Sequence, residues 1–291
     1  MERNVISIII PAHNEEAVIA RGLAALTDGA AAGEQEVIVV CNGCTDGTAD
    51  AARAFGNGVK VIETNVASKT HALNLGDRAA SGFPRFFVDA DVLITRDAVA
   101  RIVAYMAEHD TLAAAPAARM DLSGCTRLVR WYYDVDLQLP SSRYGIGCAG
   151  VYVVSEAGRR RFGEFPAIVA DDAFVRLHFR PKERVRIADA TSIVHAPRTV
   201  PELIGVMTRV HFGNTELHKL APHLWENKGE GNRRALLGLM ARPAMWAKIA
   251  TYLSVKIVAR LRSRWRYTRA RQTSWERDVT ARRAVATAEV H

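Results

Sequence analysis

The sequence predicts an α/β fold, a mostly parallel sheet flanked by helices, followed by a basic helical tail. Short apolar runs rich in β-branched residues, at 5–10, 36–40 and 59–63, alternate with segments of helical periodicity. That alternation is the pattern of a right-handed, mostly parallel sheet. The run Phe86-Phe87-Val88 is apolar throughout, as a strand covered on both faces must be. The charge is uneven: from Arg233 onward the chain carries 14 Lys and Arg against 3 Asp and Glu, whereas the rest holds 25 against 28.

The first strand runs into Pro11, which cannot donate to a ladder and marks the strand's end. Asn14 is expected to cap a helix extending through Leu26, with Glu15 and Glu16 complementing the dipole in its first turn. Cys41-Asn42-Gly43-Cys44-Thr45-Asp46-Gly47-Thr48 is a turn by composition, and Thr45 or Asp46 is expected to cap a helix through Phe55. A further helix is expected from about Lys69 to Ala80. Residues 97–108 place Val99, Ile102, Val103 and Met106 on one helical face. Beyond them come a strand at 112–116 and an aromatic helix, Leu128-Val129-Arg130-Trp131-Tyr132-Tyr133, ending before Pro140. A glycine-rich loop at 144–150 leads into a strand at 151–154, and an apolar stretch at 187–194 ends in His195.

At 291 residues, 49% hydrophobic and 24% charged, the chain has enough apolar material for one large domain with a tail. Four cysteines do not make a disulfide framework, and Cys41-x-x-Cys44 lacks the second pair that a zinc site needs. No G-x-G-x-x-G follows the first strand, which argues against a dinucleotide-binding domain. A slightly acidic body argues against nucleic acid as a partner. The first residues lead directly into a strand without a signal-peptide pattern, so a cytoplasmic protein is expected.

Asp89-Ala90-Asp91 follows the apolar run at 86–88. If the strand continues, alternation turns both acids to one side, where their oxygens suit a hard divalent cation, Mn²⁺ or Mg²⁺. The plainer alternative is a polar strand end opening a turn.

Four motifs occur in order: Ser7-Ile8-Ile9-Ile10-Pro11-Ala12-His13-Asn14-Glu15-Glu16, Asn42-Gly43-Cys44-Thr45-Asp46-Gly47-Thr48, Lys69-x-x-Ala72-Leu73-Asn74 and Asp89-Ala90-Asp91. Together they resemble the nucleotide-binding half of a family 2 glycosyltransferase with the Rossmann-like GT-A fold, over about residues 4–220. The resemblance implies inverting transfer of a sugar from a nucleoside diphosphate donor (UDP, GDP or dTDP) to an acceptor hydroxyl. It places Pro11, His13, Glu15, Asn42, Lys69, Asp89 and Ala90 around the nucleotide sugar and Asp91 on the metal. Asn42 stands where the family often carries an acid, and Ser68 where it usually carries glycine before the lysine. The resemblance also makes Asp172 the general base, with Asp171 beside it, and offers His195 as a further metal ligand. Gly147, Gly150 and Trp131 border the acceptor in this reading, although packing is the commoner explanation of an aromatic helix. Arg209 would clamp phosphate; the Q-x-x-R-W motif of processive synthases is not present in full.

The domain division expected is 1–232 for the transferase, with a nucleotide-binding half at about 1–95 and an acceptor half at about 96–220. Residues 233–291 form the basic amphipathic tail. Trp246, Ile249, Leu253, Ile257 and Leu261 fall at helical spacing on what is expected to be one face. Such a helix can pack on the body, join a homodimer or lie peripherally on the anionic inner face of a membrane. The competing functional classes are a sugar-phosphate nucleotidyltransferase of related fold and a non-catalytic sugar-nucleotide-binding scaffold. The first lacks its phosphate loop after the first strand; the two acidic pairs count against the second.

Overall fold

A computed structural model describes residues 5–29, 34–147 and 149–269. The chain runs β1 (Ile6–Ala12), α1 (Glu16–Thr27), β2 (Gln35–Asn42), α2 (Thr48–Arg53), β3 (Val59–Thr64), α3 (Lys69–Ala79), β4 (Arg85–Val88), β5 (Leu93–Ile94) and α4 (Arg96–Glu108). It continues through β6 (Ala113–Asp121), α5 (Arg127–Asp136), α6 (Pro140–Tyr144), β7 (Val151–Val154), α7 (Glu156–Arg159), α8 (Asp171–Leu177), β8 (Arg184–His195), α9 (Val200–Leu220), α10 (Arg233–Met240) and α11 (Trp246–Arg269). The strands form one sheet in the order β3-β2-β1-β4-β7-β6-β8-β5.

The first half of the sheet is parallel, with β1 between β2 and β4. Antiparallel β7 then joins β4 to β6, and β6 runs parallel to β8. Helices cover both faces. Ile19, Leu23 and Leu26 of α1 and Val99, Ile102 and Met106 of α4 share a core with Ile8, Val39 and Phe86. On the other face Leu73 of α3, Phe174 and Leu177 of α8 and Leu217 of α9 pack against Ile9 and Phe87. The apolar runs are therefore buried on both sides, which is why they show no polar alternation.

Three local expectations are corrected. Asn14 does not cap α1: Glu15 precedes the helix, and Asn14 sits at φ 53°, its side-chain oxygen accepting from Thr45 N at 2.6 Å and its amide donating to Thr45 Oγ1 at 3.0 Å. The short amide gains more by tying the turn after β1 to the turn after β2 than by capping. The strand before Asp89 stops at Val88, and residues 89–92 form a turn closed by Val92 N donating to Asp89 O at 3.1 Å. The alternation argument for the two acids therefore fails, and a turn sets their directions.

The third correction concerns α11. Its buried residues are Ile249, Tyr252, Val255, Ala259 and Ser263, whereas Trp246, Leu253, Ile257 and Leu261 are exposed. Ile249, Tyr252 and Val255 pack in one cluster with Val129, Tyr132 and Tyr133 of α5 and Leu203 of α9. Lys248 Nζ reaches Asp134 at 2.6 Å. The packed stripe includes Tyr, Ala and Ser, which a search for large aliphatic residues overlooks. The boundary expected at 232/233 is thus crossed by a shared core. The short helix expected after Trp275 lies outside the described residues, as does Cys148 of the glycine-rich loop.

Candidate active site

The carboxyl ends of β1, β2 and β4 are neighbours because those strands are parallel and adjacent, and the loops leaving them converge. After β1 and β2 the chain forms a clip. Glu15 N donates to Thr48 Oγ1 at 2.7 Å, Gly47 N donates to a Glu16 carboxylate oxygen at 3.0 Å, and His13 Nδ1 pairs with the Asn42 carbonyl. The buried Asn42 amide donates to Ala12 O at 2.8 Å, so it braces the two strand ends. Pro11 and Glu15 are buried behind this rim, and His13 is half-buried. Cys41 and Cys44 are free thiols, and burial pushes the Cys41 thiol up to about 12, which suits a structural and unreactive role.

Beside this clip lies a buried cluster of charges. Lys69, the first residue of α3, places Nζ 2.6 Å from Asp89 Oδ1 and 3.1 Å from Asp171 Oδ2. Asp171 is 3% exposed and also accepts from the Tyr152 hydroxyl at 3.1 Å. Burial works against the Lys69 charge, but Asp171 and Asp89 outweigh it and hold the ammonium protonated, well above the usual lysine range. Burial pushes Asp171 up to about 6 despite Lys69, with Asp89 and Asp172 adding like-charge repulsion. Tyr152 is raised by the same burial and by Asp171. Lys69 therefore bridges two carboxylates at the start of α3.

Asp172 differs from its neighbour. It is half-buried on the first turn of α8, with Oδ1 accepting from Ala173 N at 2.7 Å. Its Oδ2 lies 3.2 Å from where a Cβ on Gly147 would stand, so the glycine loop and the second acid face each other. Gly150 closes the other side: its φ of +60° and an ideal Cβ position 2.3 Å from Val92 Cγ2 allow no side chain. Its carbonyl accepts from Asp89 N at 2.8 Å, tying the loop to the Asp89–Asp91 turn. The Ala90 side chain points into the core, leaving its backbone to the site.

α9 supports this arrangement from behind. Gly213 lets Ala170 approach so closely that a Cβ would meet its backbone nitrogen at 2.9 Å, and Glu216 accepts from Val169 N at 2.9 Å. Arg209 lies one turn before Gly213 on the same face of α9, the face turned toward the segment that leads into α8. The Trp131 ring lies under the Arg127 guanidinium, 4.4 Å away on its own helix.

His195, expected as a further metal ligand, has side-chain partners at both ring nitrogens. Its Nδ1 lies 3.0 Å from Asp121 Oδ2 and its Nε2 3.0 Å from an Arg21 guanidinium nitrogen. The Ser123 backbone N–H holds Asp121 below the usual carboxylate range, so Asp121 accepts from Nδ1 and leaves Nε2 to accept from Arg21. Both ring nitrogens are thereby occupied. Among the described residues no three His, Cys, Asp or Glu side chains converge as a metal cage. One or two carboxylates still suit Mg²⁺ or Mn²⁺ when substrate phosphates complete the shell, and Asp91, at the turn tip, fits that chemistry.

Tyr152 and Arg186 were not anticipated from the sequence. Arg186 of β8 donates to Ser142 O at 2.5 Å, Gly147 O at 2.9 Å and, through Nε, Gly145 O at 2.9 Å, fixing the glycine loop from below. Ser192 Oγ adds a bond to Ala149 O at 2.9 Å. An arginine just before an apolar strand was the available signal, but its partners are some 40 residues away.

Residues 7–143 match the family model described as glycosyl transferase family 2. No curated protein matches the chain in sequence. Among solved structures, the chain is similar to the mannosyltransferase PcManGT from Pyrobaculum calidifontis in complex with GDP-Man and Mn²⁺, with a TM-score of 0.62 and 21% identity over 89% of this chain and 87% of that one. It is also similar to S. aureus TarS 1-349 in complex with UDP, with a TM-score of 0.52 and 14% identity over 94% of each chain. Glucosyl-3-phosphoglycerate synthase from Mycobacterium tuberculosis with Mn²⁺, UDP-Glc and phosphoglyceric acid gives a TM-score of 0.51 and 22% identity, covering 71% of this chain and 78% of that one. The chain therefore has the GT-A fold of these structures, and over residues 7–143 it is similar to glycosyl transferase family 2.

Proposed function

We propose that the protein moves a sugar from a UDP, GDP or dTDP donor to an acceptor hydroxyl with inversion, and that Asp172 is the general base. The observation that carries this reading is the unequal fate of the acidic pair. Asp171 is consumed by Lys69 and Tyr152 in the interior, whereas Asp172 faces the Gly147 loop from the first turn of α8. An inverting transfer needs one base to take the acceptor's proton while the hydroxyl oxygen attacks the anomeric carbon opposite the departing diphosphate. Asp172 accepts that proton; the C–O bond to the acceptor forms as the bond to the diphosphate breaks. Asp171 acts as a positioning residue through Lys69, and Pro11, His13, Glu15 and Asn42 form the rim that receives the nucleotide. Arg209 approaches the phosphates from α9. Gly147 and Gly150 shape the acceptor side. Asp91 would hold Mn²⁺ or Mg²⁺, which when bound supplies Lewis-acid charge to the leaving diphosphate.

The test is Asp172→Asn. Donor affinity and fold should be retained while transfer falls by about 10² to 10⁴-fold, the usual size of a general-base contribution. Near-normal transfer, or a product that keeps the donor's anomeric configuration by NMR, would overturn the assignment. Titrating UDP, GDP and dTDP with and without Mn²⁺, into the wild type and Asp91→Ala, tests the metal. Equal affinities in both conditions for the wild type would remove it.

A further inference from the structure

With one stripe of α11 committed to the body, the opposite face turns outward, and it is apolar. Trp246 is 63% exposed, Ile257 57%, Leu261 59% and Trp265 55%, and Leu253 and Val258 lie exposed among them. At 100° per residue these six fall within one contiguous sector of the helix, filled otherwise by Ala247, Ala250, Ser254, Arg264 and Thr268. The patch continues onto α10, where Leu237 and Met240 are exposed and Trp246 Nε1 donates to Met240 O at 2.9 Å. A soluble helix packed by one stripe normally shows water its polar side. Here the outward side carries large apolar residues with a tryptophan near each end.

Arginines flank and end this face. Arg260, Arg262 and Arg264 are exposed, and residues 233–269 contain ten Lys and Arg with no Asp or Glu. A second copy meeting this face about a two-fold axis would bring the same arginines and no carboxylate to pair with them. An anionic surface supplies the missing charge, while the apolar stripe enters the boundary between headgroups and acyl chains. Tryptophan is at home at that depth. Among the described residues no helix is long and apolar enough to cross a membrane, so the geometry is that of a helix lying in the surface. We infer that the outer face of α10 and α11 docks the enzyme on an anionic lipid bilayer. Asn232, just before α10, bonds Ser141 of α6 through Nδ2 to Oγ at 2.8 Å, so the docked element is joined to the chain leading into the glycine loop.

The test uses the full-length protein with vesicles of phosphatidylcholine alone or mixed with phosphatidylglycerol, at low and high salt. Sedimentation with the anionic vesicles, weakened by salt and absent with neutral lipid, is expected. Arg262→Gln with Arg264→Gln should lower partitioning by roughly 30-fold, at about 1 kcal/mol for each charge near the surface. Ile257→Asp with Leu261→Asp should abolish binding while leaving the circular dichroism spectrum and donor affinity unchanged, since both side chains already face water. No sedimentation with anionic vesicles would overturn the inference. So would an oligomer in solution that Ile257→Asp with Leu261→Asp dissociates without any effect on lipid binding. Neither outcome depends on the identity of the catalytic base.

Discussion

Replacing Lys69 with methionine removes an ammonium held between two carboxylates of very different exposure. Asp89 is 37% exposed by its side chain, so water and salt screen its share of the pair and that share contributes little. Asp171 is only 4% exposed by its side chain and keeps just the Tyr152 hydroxyl as a side-chain donor once Lys69 is gone. Breaking a buried pair from one side costs about 3–5 kcal/mol, and the remaining tyrosine bond places this case near 3. The cost depends on pH, with a sign that follows from burial. Asp171 already sits at about 6 in the folded protein, above an unfolded value of about 3.9. Losing Lys69 raises it further. A carboxyl whose folded pKa is raised favours folding while protonated and loses that contribution as pH climbs through the folded value. Lys69→Met should therefore be destabilised by about 3 kcal/mol at pH 8 and by about 1 kcal/mol or less at pH 5. Lys69→Met combined with Asp171→Asn should recover most of the loss at pH 8. Urea denaturation of the wild type, the single variant and the double variant at both pH values measures this. An equal deficit at pH 5 and pH 8, or a double variant no more stable than Lys69→Met, would refute the buried-charge account.

Gly150→Ala must place a Cβ 2.3 Å from Val92 Cγ2 in a backbone at φ +60°, so a loss of about 2–4 kcal/mol is expected, with weaker nucleotide binding as the Asp89–Asp91 turn shifts. Denaturation and calorimetry with UDP and GDP check it; a variant of unchanged stability would show that the turn yields freely. His211 is held at about 4 by burial, with Lys256 and Arg260 of α11 adding repulsion. The unfolded chain therefore takes up that proton first, and stability should fall by up to about 3 kcal/mol as pH drops from 6.5 to 4. His211→Gln should lose this component, seen as a pH-dependent difference between the two denaturation curves; parallel curves would contradict it.

The alternating apolar runs and the four ordered motifs made the parallel half of the sheet, its strand-end loops and the likeness to family 2 glycosyltransferases legible from the sequence. Those features are local: a β-branched run ending at Pro11, a turn rich in Gly, Asn and Asp, or an acidic pair opening a helix is written within a few residues. What surrounds the acids was decided by distance in three dimensions. Asp171 and Asp172 are adjacent and chemically identical, yet only packing that brings Lys69 and Tyr152 onto one of them separates a buried anchor from an acid facing the Gly147 loop. The same holds for the partners of the His195 ring, Arg21 and Asp121, which lie 174 and 74 residues away in the chain. On α11, helical spacing revealed an amphipathic segment but could not say which side faced the body. That side was settled by Tyr132 and Val129 of α5, partners more than a hundred residues earlier in the chain. Periodicity is a property of the helix alone, whereas burial also requires the surface it meets.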